Sequence, residues 1–187
     1  TVPDRTLRFV GFTNEEPPHF QTSSMGSYVY AKRCKERKEN VVAMLSLESL
    51  AYYSDVKGSQ DYPPILRARY PDTGNFAAVV GNLKSKRLVD QVAARLEAGT
   101  AGVPVEKLSF IASLPGVGWS DHWAFWQFGY PAVMVTDTAP YRNEHYHQPS
   151  DLPGTLDFER LQKVTIGLRD VIVELVGDSG TLKKPVG

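Results

Sequence analysis

The chain has 187 residues, 42% hydrophobic and 22% charged, enough for one domain with a buried core and too apolar for disorder. Its 21 basic and 21 acidic residues cancel, which excludes the basic excess that nucleic acid or an anionic membrane surface would select. The single cysteine, Cys34, excludes an internal disulfide and a cysteine-based zinc cluster, and no apolar run approaches the roughly 20 residues of a membrane span.

In chain order, LRFVGF (7–12) reads as a buried strand: short, apolar, bounded by polar residues and then by Pro17 and Pro18. A helix is expected over 24–38, with Cys34 on its wet side inside AKRCKERKEN and without a role. VVAMLSLESL (41–50) reads as a strand covered on both faces. Residues 51–75, rich in proline, read as a long irregular excursion, the kind of segment that is often functional. FAAVVGN (76–82) is a third strand. The helix 83–98 is expected to put Leu83, Leu88, Val89, Val92 and Leu96 on one face. KLSFIA (107–112) is a weaker strand, SDHWAFWQFG (120–129) a short helix, PAVMVTD (131–137) the last clear strand and 157–176 the last helix. One domain is expected over 1–177, with a frayed tail at 178–187.

Alternating strands and helices predict an α/β fold of three layers, a mostly parallel sheet with helices on both faces. In such sheets ligands bind beyond the carboxyl ends of the strands. Glu15 and Glu16 follow one strand, Glu48 ends another, and YRNEHYHQPSD (141–151) follows the last, so acidic and histidine-bearing stretches converge on one edge. Imidazole and carboxylate together suit zinc, although an H-x-H in a loop is weak evidence by itself. Asp151 is placed to orient a ligand histidine. Asp121 reads as a helix cap or a site residue, and His122 beside it more readily as a structural hydrogen-bonding partner than as a ligand.

The order FTNEEPPHF, GSYVYA, AMLSLESLAYYSD, SDHWAFWQFGYPAVMVTDT and YRNEHYHQPSD resembles the zinc aminopeptidase family that includes bacterial leucyl aminopeptidases, with glutaminyl cyclase and glutamate carboxypeptidase as relatives. The resemblance covers essentially the whole chain. It implies Glu15 as general base, Glu16, Glu48 and His147 as metal ligands, and Asp121 and Asp151 beside the site. In the family these three ligands do not all serve one metal, and in this chain they are expected to hold at most one zinc ion, weakly. It leaves His145 without a role. A peptide substrate with an apolar first residue is expected, with Trp119 and Tyr146 in contact with it, and a secreted or periplasmic location is the family's habit. The family also places a His-x-Asp pair and a bridging Asp upstream of the Glu-Glu pair. The 14 residues before Glu15 contain no His and one Asp, Asp4. Upstream strands and ligands are therefore expected to be missing from this sequence, which begins at Thr1 and shows no signal peptide. An unpaired sheet edge that favours a homo-oligomer is expected as well.

Overall fold

The computed structural model describes residues 4–177. Four strands, β1 (Met44–Glu48), β2 (Ala77–Asn82), β3 (Val105–Phe110) and β4 (Ala132–Thr136), form one sheet in the order β1-β4-β2-β3. The helices are α1 (Gly26–Glu36), α2 (Lys86–Gly99), α3 (His122–Gln127) and α4 (Phe158–Gly177). The tail expected at 178–187 lies outside the described residues.

The alternation of the strands sorts side chains into two layers. Ala77, Val79, Val133 and Val135 face α2 and α4, packing with Leu88, Val92, Leu96, Val164 and Leu168. Ala78, Val80 and Met134 face the other way, toward Val117 and Trp126, and Ala132 meets Phe125 of α3 and Ala31 of α1. This is the expected three-layer α/β architecture. Two of its strand pairings are parallel, β1 with β4 and β2 with β3, while β2 and β4 are antiparallel. The carboxyl ends of β1 and β4 therefore share one rim with the amino ends of β2 and β3.

Four sequence readings change. The run 41–50, expected to be covered on both faces, is a strand only over Met44–Glu48, at the edge of the sheet and with Leu47 55% exposed. Residues 7–12 pair with no strand among the described residues, and Phe9 is 83% exposed; an apolar run becomes a strand only where a neighbouring backbone completes its ladder. Cys34 is buried, because it lies one turn beyond Ala31 on the inner face of α1. Leu83 is 59% exposed and sits in a 3₁₀ turn (83–85) that Asn82 caps by accepting the Ser85 backbone N–H. Asp121 precedes α3 without a side-chain capping bond.

Candidate active site

Glu48 closes β1 at the rim. Its Oε2 accepts a hydrogen bond from the Ser120 hydroxyl at 3.0 Å, and that hydroxyl pairs with Ser46 at 2.8 Å, so two buried serines fix the carboxylate from below. The segment carrying Glu15 and Glu16 is docked by Gly26, whose backbone N–H donates to Thr13 O at 2.9 Å. A Cβ at Gly26 would meet the Thr13 backbone at 2.9 Å, so only glycine permits this crossing. Gln21 extends the anchoring by donating to Gly118 O at 3.0 Å. From the far end of the chain, His147 brings Nε2 to 3.5 Å from Glu16 Oε1. Glu16, Glu48, His147, Tyr146, Asp137 and Asp151 line one cleft.

Glu16, Glu48, Asp137 and Asp151 line this cleft, whereas Glu15 and Asp121 stand beside it and not in its lining. Burial, then Glu48, Glu16 and Asp121, push the Glu15 carboxyl up to about 7. Burial raises Glu48 as well, against the hydroxyls of Ser120 and Ser49. Burial also raises Asp121, whose Oδ1 is buried with no hydrogen-bond partner. The Tyr146 hydroxyl is raised by burial and by Glu48, Glu16 and Glu15. Mutual repulsion of this kind is relieved by a cation held among the carboxylates.

Asp137, which sequence reasoning passed over, ties the rim together. It is buried, and its Oδ2 accepts backbone N–H groups of Ala51 and Tyr52 at 2.9 and 2.8 Å, while its own N–H donates to Ser49 O. Burial pushes its carboxyl to about 7 against those bonds and the nearby Arg142. The only signal in the sequence was an acid closing an apolar run. Backbone strain marks the same rim: Asn14, Ser49, Thr138 and His147, four of the seven non-glycine residues with positive φ among the described residues, adjoin or belong to it.

The other expected residues divide. Tyr146 stacks on His147 at 3.9 Å between ring centroids and lines both the cleft and an adjoining apolar cavity that opens to solvent. Trp119 lines that cavity and stacks on Tyr141. Asp151 lines the cleft and makes no side-chain hydrogen bond to His147; the partner of that ring is Glu16. His122 is fully buried away from the cleft, with Nε2 at 2.8 Å from Val117 O, and burial pulls it down to about 4. His145 contacts Ser150 and Tyr52, not the carboxylates.

As a metal seat, the donors fit zinc in kind, and Glu16 and His147 fit in position. Among the described residues no three His, Cys, Asp or Glu side chains stand close enough together to hold an ion. Residues 1–172 match the peptidase family M28. The chain belongs to this family. M28 members are generally zinc-dependent. The chain is 38% identical over 168 residues to the uncharacterized protein YfbL of Escherichia coli K12, and it spans about half of that relative's length, 51%. Among solved structures, the LapA aminopeptidase of Legionella pneumophila superposes with a TM-score of 0.56 at 21% identity, over 82% of this chain and 36% of that one. The aminopeptidase of Aneurinibacillus sp. strain AM-1 gives 0.51 at 21%, over 87% and 32%. At these identities the structural likeness bears on the fold.

Proposed function

We propose that this M28 chain carries the reacting side of a zinc-dependent aminopeptidase that releases the first residue of a peptide. The observation that supports this best is the contact of Glu16 with His147, 3.5 Å apart across 131 residues of chain, over Glu48 and beside Glu15. Glu16, His147 and Glu48 would hold the zinc, with a further donor from outside the described residues completing the site. Zinc held there supplies Lewis acidity to the scissile carbonyl and to water. Glu15 serves as the base: next to the ligand Glu16 and half-buried, it would take a proton from the attacking water and return one to the departing amine. Tyr146 bounds the apolar cavity that receives the first side chain.

A second reading has its own support. The lack of a three-donor cluster among the described residues fits a scaffold that binds or assembles without hydrolysis. Metal content after dialysis against trace zinc separates the two. About one zinc per chain, lost in Glu16→Ala, together with hydrolysis of an amino-acid anilide lost in Glu15→Gln, is the result expected of the peptidase. A chain that retains no zinc and cleaves nothing is the scaffold. Self-association along the outer edge of β1 belongs to the proposal as well, since β1 pairs only with β4 among the described residues and Leu47 beside that edge is 55% exposed. A monomer by light scattering would remove that part.

A further inference from the structure

The apolar cavity has a charged far end. Across the sheet, Glu48 is in register with Thr136, Thr136 with Ala78, and Ala78 with Glu106, and all four line the cavity. Three strand spacings separate the two glutamates, about 14 Å between Cα atoms. Glu106 lies two residues before Leu108 on β3, so its side chain shares the cavity layer with Leu108; Lys107 also borders the cavity, where its carbonyl accepts the Tyr70 hydroxyl, but its ammonium is paired with Asp90 of α2 at 2.8 Å. The Glu106 side chain makes no hydrogen bond or ion pair with any described residue, and burial, then Glu97, raises its carboxyl. Arg142, the buried guanidinium of this region, lines neither the cavity nor the cleft; it is spent on Gln60 and Phe76.

The wall between the two ends is apolar and aromatic. Tyr62 and Tyr70, 5.8 Å apart, are pinned by hydroxyl bonds to Pro71 O and Lys107 O, and Leu66 closes the wall between them. All three come from the excursion 51–75, which is otherwise without regular structure. A cavity with an apolar stem, tyrosine rings and a single unpaired carboxylate at its end suits a long side chain that is apolar along its length and cationic at its tip. We propose that Glu106 is a specificity-determining residue that selects substrates with arginine or lysine as the first residue, the alkyl stem lying along Leu66 and the tyrosines. This deepens the aminopeptidase reading and rests on it for the nature of the ligand.

The test is direct binding of argininamide, of its neutral near-isostere citrullinamide, and of leucinamide to the zinc-supplemented chain, read by calorimetry. Argininamide is expected to bind about tenfold more tightly than citrullinamide, the gap of a charge-assisted contact at a half-open site, and the gap should close in Glu106→Gln and Glu106→Ala. Equal binding of the two, a gap that survives both variants, or no binding by any amide overturns the inference. Hydrolysis of arginine and leucine anilides is followed alongside. A Glu106-dependent gap without hydrolysis keeps the pocket and removes the peptidase, whereas hydrolysis of leucine anilide without a gap keeps the peptidase and removes the pocket.

Discussion

The two layers that cover the sheet are built on different terms. On the side of α2 and α4, Leu96, Val92, Val79, Val133 and Val164 are fully buried in one continuous apolar cluster, and Gly99 and Gly167 let the two helices touch backbone to backbone. On the side of α1 and α3 the apolar contacts break into two smaller clusters, one of which lines the cavity, and polar atoms without partners, Asp121 Oδ1 and His122 Nδ1, are buried on this side. One layer supplies stability. The other carries unsatisfied polar groups, which cost stability in a folded chain unless a ligand or a function uses them.

The hardest test of that division is a cavity in the first layer. Leu96→Ala is expected to lower the unfolding free energy by about 3 kcal/mol in urea, because its site is walled by two helices that meet at glycine and cannot collapse inward. Zinc retention at temperatures well below the melting point should stay as in the parent. A loss of metal together with stability would mean that the layers are not separable.

The second layer should instead show itself through pH. His122 titrates near 6.5 when unfolded and near 4 when folded, so between those values the unfolded chain binds a proton that the folded chain refuses. Stability from this group is complete above pH 6.5 and lost as pH falls toward 4. Asp137 works in the opposite direction, its carboxyl raised to about 7, and its contribution falls as pH rises from about 4 to 7. The two are separated by comparing the parent with His122→Gln. Between pH 7 and pH 4.5 the parent should lose roughly 2 to 3 kcal/mol more than the variant. Equal losses would mean that His122 accepts a proton inside the fold.

A third change joins a backbone device to the site. Gly26→Ala forces a Cβ into the Thr13 backbone and is expected to cost about 2 kcal/mol. Because Thr13 leads directly into Glu15 and Glu16, zinc retention should fall more than it does in Leu96→Ala, although the stability loss is smaller. Retention unchanged in Gly26→Ala would show that the Glu-Glu segment finds its place without this crossing.

The sequence made the first layer easier to read than the second. Continuous apolar runs specified β2 and β4, and the spacing of Leu88, Val92 and Leu96 specified α2, because burial on that side follows simple periodicity. Glu15, Glu16, Glu48 and His147 are named from a carboxylate pair, a strand end and a histidine motif, and the structure brings three of them, Glu16, Glu48 and His147, to one cleft. What stayed hidden depends on contacts between distant residues: Ser120 beneath Glu48, Asp137 on the backbone of Ala51 and Tyr52, and Glu106 facing the cavity. None of these has a local pattern that differs from an ordinary serine, aspartate or strand-edge glutamate. The antiparallel pairing of β2 with β4 was hidden for the same reason, because alternating strands and helices do not by themselves fix strand direction.

Leu83 is the smallest of the expected effects and isolates the failure of periodicity. Five residues separate it from Leu88, which is about 140° around an ideal helix, so an unbroken helix would already point it away from the α2 core. The 3₁₀ turn capped by Asn82 leaves it 59% exposed, while Ser85 turns inward to accept the Ala132 backbone N–H at 3.3 Å. Leu83→Ser should therefore change the unfolding free energy by less than about 0.5 kcal/mol, whereas Leu88→Ser, five residues on and buried, should cost several times more. Comparable losses in the two variants would place Leu83 in the apolar cluster after all and extend the first layer beyond the end of α2.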